Sequence, residues 1–207
     1  KNELVLINNG SKDETDQVLK KIKKKNVKNF KIRKNIGFGK GLMKGINNAR
    51  GEYLICSHAD LEVNPNDILK SIKILNKQKN TREKVFIKGN RVNKKKNYWT
   101  LNDIFFSYGL TIFTIFLFRK KLYDIHGQPV LFHKSLIKKI KYFPKDFSID
   151  LTFYLYAKVH KYQIIRFPVN FNKKKRIFGK GSSSSFYKKI KASIEQFYQS
   201  FLILKKL

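Results

Sequence analysis

Four short strand-like runs, separated by stretches with helical spacing, constrain this chain more than any other feature. The runs are Leu4–Ile7, Phe30–Arg33, Tyr53–Cys56 and Val85–Gly89. Between the first two, Val18, Leu19 and Ile22 share one helical face in a segment of about Asp16 to Lys25. Between the next two, Leu42, Ile46 and Ala49 recur at helical spacing and stop at Gly51, a good helix terminator. After the third run, Asn64-Pro65-Asn66-Asp67 opens a helix through Ile68, Leu69, Ile72 and Leu75. Strand–helix alternation of this kind predicts an α/β fold: a mixed, mostly parallel sheet flanked by helices. In such sheets ligands bind beyond the carboxyl ends of the strands. The loops Asn8–Thr15, Asn35–Gly41 and Ser57–Glu62 all follow strands and are expected to share one crevice.

The second half is patterned differently. The stretch from Ile104 to Phe118 is apolar but short for a membrane span, which needs about 20 residues. It reads as a buried or interfacial helix pair. Val130-Leu131-Phe132 reads as a strand, Ser135–Ile140 as a short helix, Ile149–Val159 as a helix and Tyr162–Val169 as a strand. A basic, serine-rich loop from Lys173 to Ser185 follows. The tail from Phe186 to Leu207 reads as an amphipathic helix, with Ile190, Ile194, Phe197, Tyr198, Phe201 and Leu202 on its apolar side. The expected division is therefore a main domain over 1–172 and a basic loop with a C-terminal helix over 173–207.

Charge narrows the function less than its size suggests. The 207 residues carry 46 basic and 14 acidic side chains, a net charge of +32. Such a field attracts nucleic acid, anionic lipid or phosphorylated substrates. Heavy use of Lys, Asn, Ile and Phe is also what A/T-rich codons produce, so the charge selects no function alone. Nucleic-acid binding lacks a zinc-finger or RRM-type motif. The single cysteine, Cys56, excludes a disulfide framework and a Cys-based zinc site. The first residues, Lys1-Asn2-Glu3, lead directly into the first strand without a signal-peptide pattern.

Asp60 and Glu62 follow the third strand, one residue apart. In an extended loop, alternate side chains point the same way, so the two carboxylates could hold Mg²⁺ or Mn²⁺ and leave positions for phosphate oxygens. An acidic helix-entry loop before Asn64-Pro65 is the alternative. His58 could be a ligand, a phosphate donor or a packing residue. His126, His133 and His160 form no ligand pair at helical spacing and read as structural or surface residues. Gly37–Gly41 completes neither the P-loop nor the Gly-x-Gly-x-x-Gly pattern. Its helix N-terminus and Lys40 would still suit a diphosphate. The run Lys173–Arg176, followed by Gly179 and Gly181, is either a solvated loop or a lid closing over a phosphate.

Taken in order, these fragments resemble the family 2 glycosyltransferases of the GT-A fold (Rossmann-like), near the dolichol-phosphate mannose synthase branch. Asn9-Gly10-Ser11-Lys12-Asp13-Glu14-Thr15 resembles the family's Asp-Gly-Ser-x-Asp-x-Thr loop. Asn35, Gly37 and Gly39, with Gly45-Ile46, Ala49 and Gly51-Glu52-Tyr53, resemble its Asn-x-Gly…Gly-Ile…Ala-x-Gly-Glu-Tyr stretch. His58-Ala59-Asp60-Leu61-Glu62 sits where the family carries Asp-Ala-Asp-Leu-Gln. Gly89-Asn90-Arg91 is similar to its Gly-x-Arg, and Arg176–Gly179 to its Arg-x-x-Gly.

The resemblance implies an inverting hexosyltransferase that uses a nucleotide-diphosphate sugar and a polyprenyl-phosphate or surface-glycan acceptor. It implies that Asp60 and Glu62 hold the metal. Asn9, Ser11, Asp13, Gly39, Lys40, His58 and Asp60 would bind the donor. Arg91, Gln128 and Arg176 would contact phosphates or acceptor, and Asp124 and Asp150 would be the catalytic acids on the acceptor side. It also implies work in cell-envelope or polysaccharide synthesis, at the cytoplasmic face of the membrane. His58 departs from the family's first Asp. It resembles a bacterial subgroup that pairs this His with Gln-Pro and Asp-Phe-Ser-x-Asp, here Gln128-Pro129 and Asp146–Asp150. The family's first strand and helix have no counterpart before Lys1, so an N-terminally truncated domain is expected. A basic nucleic-acid-binding domain and a catalytically silent scaffold on the membrane surface are the alternatives.

Overall fold

The computed structural model describes residues 2–78, 82–94, 96, 99–171 and 185–207. The alternation holds through the first half. Strand β1 (Leu4–Asn9), helix α1 (Thr15–Lys21), strand β2 (Val27–Ile32), helix α2 (Phe38–Asn48), strand β3 (Tyr53–Cys56), helix α3 (Pro65–Asn76) and strand β4 (Val85–Arg91) follow in that order. Helix α1 is shorter than its apolar spacing suggested, ending at Lys21 with none of its residues buried. Helix α3 starts where Asn64 caps it, its side chain accepting from the Asn66 amide at 3.0 Å, with Pro65 in the first turn.

The sheet is mixed rather than mostly parallel. One ladder pairs β1 with β2 in parallel. The other sheet has the order β3-β5-β4-β6, with β5 spanning Val130–His133 and β6 spanning Gln163–Val169. There β4 and β6 run parallel, but β5 runs antiparallel to both β3 and β4. The sequence order could not reveal this, because β5 enters between two strands that precede it in the chain.

Each face of the four-stranded sheet builds its own core. Phe86 and Phe132 point one way, and Val85, Ile87 and Leu131 the other. On the first face lies helix α5 (Ser148–Val159), buried from Ser148 to Ala157. Tyr154 of α5 stacks on Phe86 at 5.7 Å, Phe86 lies 5.8 Å from Phe132, and Phe153 meets Phe132 at 5.1 Å. A helix buried all round cannot show the one-sided stripe that marks a surface helix, but its mean apolarity made it legible.

The apolar stretch after β4 is one helix, α4 (Leu101–Phe118), not a pair. Thr100 and Asp103 form a reciprocal cap at its start. The hydroxyls of Thr111 and Thr114 donate to the carbonyls of Ser107 and Leu110, so these polar side chains are satisfied within the helix. Its length and composition are those of a membrane-crossing helix. Leu101, Phe105 and Phe116 are each more than 70% exposed.

The final helix, α6 (Phe186–Lys205), packs on α4 through Phe113, which lies 4.3 Å from Phe197. The partition expected of an amphipathic helix is not what the structure shows. Gln199, Ser200 and Ile203 are the buried residues, while Ile194, Tyr198 and Phe201 are exposed. The basic loop from Lys173, including the expected boundary at 172/173, lies outside the described residues.

The stacked ring set predicts one stability outcome. Phe132→Ala should lower unfolding free energy by about 3–5 kcal/mol, as for other buried Phe truncations. Urea denaturation followed by circular dichroism measures it. A loss below about 1 kcal/mol would mean that the core on this face of the sheet does not depend on the ring.

Candidate active site

The loops after β1 and β2 are tied together by one side chain. Asn9 donates from Nδ2 to the Gly37 carbonyl at 3.0 Å and accepts at Oδ1 from the Ile36 amide at 3.2 Å. Behind it, Asn8 is buried and accepts from the Ser11 amide at 2.9 Å. Gly10 takes a positive φ of 76°, and a Cβ there would strike the backbone of Lys34 and Asn35. Asp13 is exposed and accepts from the amide and hydroxyl of Thr15, which holds its carboxyl below the usual range. Ser11 and Lys40 are exposed at the same rim. Gly39 serves packing: its amide donates to the Lys145 carbonyl at 2.8 Å, and a Cβ there would strike the Pro144 carbonyl. That amide is therefore already used, and a phosphate would have to displace Lys145 to reach it.

The loop Ser57–Glu62 leaves β3 as a bend, not an extended run. Leu61 has φ 62°, and Asp60 turns to accept the Glu62 amide at Oδ1, 3.2 Å away. The same-side placement expected from strand alternation therefore does not follow. Glu62 is buried at 8% exposure. His58 lies in an aromatic stack, its ring 5.1 Å from Phe38 and 6.3 Å from Phe147, with Phe38 and Phe147 4.6 Å apart. Among the described residues no group of three or more His, Cys, Asp or Glu side chains is arranged to hold a metal. Asp60 and Glu62 are of the right chemistry for Mg²⁺ or Mn²⁺, which also takes water and phosphate oxygens, but the bend at Leu61, not strand alternation, sets how they stand to one another.

Two polar clusters meet on the far side of this loop. In the first, Asp124 accepts from the Arg91 amide and Nε at 2.6 Å each, and its Oδ1 lies 2.5 Å from the guanidinium Nη2. Lys88, fully buried on β4, donates to the Asp124 carbonyl at 2.5 Å and lies 5.0 Å from the Tyr154 ring. Arg91 is further covered by Trp99, 4.6 Å from its ring centre. Burial alone would raise the Asp124 carboxyl, but the charge and hydrogen bonds of Arg91, helped by Lys88, bring it down to about 2. Burial lowers Lys88 to about 7 although Asp124 opposes the shift. Asp124, expected to be catalytic, is thus a poor proton acceptor clamped by the Arg91 that was expected on a phosphate.

In the second cluster, Asp150 on α5 is 4% exposed and accepts from two side chains. Gln128 donates to Oδ1 at 3.1 Å, and His126 Nδ1 lies 3.0 Å from Oδ2. The outer nitrogen of His126, Nε2, lies 2.7 Å from Gln196 Nε2 on α6. Gln128 Oε1 and Ser57 Oγ are buried without a hydrogen-bond partner. His126 was read from the sequence as structural, because its partners lie 24 and 70 residues away and leave no local spacing signal. The two clusters and the Ser57–Glu62 loop adjoin. Phe147, stacked on His58, lies 6.5 Å from the His126 ring, and the charge of Asp150 adds to the burial that pushes the Cys56 thiol up to about 12. Arg176 lies outside the described residues.

A cavity of about 990 Å³ opens beside the first cluster, between the end of β4 and α4. Arg91, Lys94 and Arg166 stand on one side, and Tyr108, Ile112 and Ile115 on the other.

Comparison with known proteins gives the family. Residues 1–141 match the sequence profile described as glycosyl transferase family 2. The chain belongs to glycosyl transferase family 2. An uncharacterized glycosyltransferase of Rickettsia typhi is 31% identical over 159 residues, covering 75% of this chain and 48% of the relative. The chain thus spans about half the length of that glycosyltransferase. Membership implies a nucleotide-sugar donor and an acceptor in general terms, and the mixed α/β architecture is consistent with the GT-A fold.

Lys88 yields a pH prediction. Its folded-state value is lower than its unfolded one, so the unfolded chain binds more protons between about pH 7 and the ordinary lysine range near 10.5. Stability should therefore rise with pH across that window, and the charged lysine should be fully destabilising below it. Lys88→Met should flatten the rise. Equal pH slopes for wild type and variant in urea unfolding would contradict the assignment.

Proposed function

We propose that this glycosyltransferase moves a hexosyl group from a nucleotide-diphosphate sugar to a polyprenyl-phosphate or surface-glycan acceptor, with inversion at the anomeric carbon. The observation that carries the reading is the junction of the Ser57–Glu62 loop with the Asp150 cluster through Phe147 and Cys56. A donor held on the first would present its anomeric carbon toward the second. Asp60 and Glu62 are the residues that would hold Mg²⁺ or Mn²⁺, which supplies charge neutralisation for the leaving diphosphate. Asn9 shapes the donor rim, with Ser11, Asp13 and Lys40 exposed on it.

The cavity beside β4 supports the acceptor half. Cationic side chains facing an apolar helix wall suit a molecule that carries both phosphate and hydrocarbon. This is also the basis for reading the protein as near the dolichol-phosphate mannose synthase branch. Exposed Phe105, Ile112 and Phe116 on α4, followed by Arg119, Lys120 and Lys121, suit peripheral attachment to the cytoplasmic face of an anionic membrane. Envelope-polysaccharide synthesis is the setting such an acceptor implies.

The test is nucleotide binding. UDP and GDP, titrated with and without Mn²⁺ against the full-length protein in a thermal-shift assay, should raise the melting temperature, and Mn²⁺ should enlarge the shift. Asp60→Ala should remove the Mn²⁺-dependent part. No shift with either nucleotide would refute the donor site, and an unchanged Mn²⁺ effect in Asp60→Ala would refute that ligand.

A further inference from the structure

We infer that His126 is the catalytic base of this transferase, oriented by Asp150, and that the reacting group of the acceptor is therefore a hydroxyl. The inference rests on the glycosyltransferase reading above and deepens it. Three features of the cluster carry it. Asp150 is poorly placed to take a proton itself, since it is 4% exposed and both oxygens are already engaged, Oδ1 by Gln128 and Oδ2 by His126. Asp124 is spent on Arg91. His126 is the outermost of the three groups, with its side chain about a quarter exposed.

The hydrogen bonds also fix which nitrogen carries the lone pair. A carboxylate can only accept, so Asp150 Oδ2 makes His126 Nδ1 the protonated nitrogen. Nε2 then carries the lone pair. The amide of Gln196 on α6 donates to it at 2.7 Å, occupying the position that an acceptor hydroxyl would take. Phe147 spaces the imidazole one ring away from His58, at the edge of the donor loop. A base is needed only if the acceptor is a hydroxyl, because a phosphate acceptor is already an anion. A glycan hydroxyl fits this site, and the neighbouring cavity would take the lipid phosphate of a glycan carrier.

The step balances as a single displacement. The acceptor oxygen forms a bond to the anomeric carbon as the bond from that carbon to the donor phosphate oxygen breaks. The nucleoside diphosphate leaves with that electron pair. The hydroxyl proton passes to His126 Nε2, and the resulting imidazolium is stabilised by the Asp150 carboxylate. Asp150 is in this scheme a positioning residue.

Water serves as the probe acceptor, since it too must lose a proton. Release of nucleoside diphosphate from UDP-glucose, UDP-N-acetylglucosamine and GDP-mannose is measured on the full-length protein. Titration of UDP and GDP with Mn²⁺ runs in parallel. His126→Gln should lower release by about 10²- to 10⁴-fold while nucleotide binding stays within about two-fold of wild type. His126→Asn, whose amide can still donate to Asp150, guards against a folding defect and should lose release to the same extent. Added imidazole should restore part of the rate to His126→Ala, but none to Asp150→Asn. Wild-type release by His126→Gln, or a dead Asp150→Asn beside an active His126→Asn, overturns the assignment and makes Asp150 the base. Loss of nucleotide binding in the wild type itself removes the glycosyltransfer reading, and the base with it.

Discussion

The ionic knot of Asp124 with Arg91 and Lys88 holds the centre of this molecule in place. One residue is used twice: its carboxylate receives the backbone and guanidinium of Arg91, and its carbonyl receives Lys88. The Asp124 backbone sits at φ 51°, a conformation that a non-glycine residue keeps only when its surroundings hold it. Because the knot joins the end of β4 to the start of the 124–129 turn, it fixes where His126 and Gln128 project and where β5 enters the sheet. Gly127 and Gly89 complete the join. A Cβ on Gly127 would strike the Gly89 carbonyl, and one on Gly89 would strike the Gln128 carbonyl. Opposite charges packed this tightly are costly to bury and costly to break, so the arrangement specifies a geometry more than it adds stability.

Much of the framework was legible in the chain because it rests on local periodicity. Strands β1, β3 and β4 and helices α2, α3 and α5 fall where apolar spacing and caps put them. What escaped was non-local. The insertion of β5 between β3 and β4 depends on pairing across tens of residues, and no local signal records it. The continuity of α4 was hidden because Thr111 and Thr114 look like interruptions but turn their hydroxyls onto their own helix. The exposed side of α6 shows that apolar residues at helical spacing need not face a core.

The site was legible in outline and not in its internal roles. Asn9, Asp60, Glu62, Asp124, Gln128 and Asp150 were singled out by order and resemblance. The structure brings Asp124, Gln128 and Asp150 into adjoining clusters, and links the Ser57–Glu62 loop to them through His58 and Phe147. Sequence could not show that Arg91 neutralises Asp124, or that the partly exposed His126 pairs with the buried Asp150, since each pairing crosses 24 residues or more. His58 reads differently once Phe38 and Phe147 are seen around it. A ring stacked on two aromatics fills the loop's inner side, which an aspartate could not do.

Gln196 carries a consequence for how this chain can be divided. Helix α6 looks like an appendage, joined to the rest after β6 and showing much of its apolar surface. Yet its amide closes on His126, Gln199 accepts from Tyr142 at 2.7 Å, and Lys189 meets Asp103 at 2.8 Å. The C-terminal helix is thus packed into the same unit as the Asp150 cluster. A shortened chain ending after β6 would keep the sheet and the donor loop but lose the partner of the imidazole. Exchanging this tail would therefore change what faces the outer nitrogen of His126.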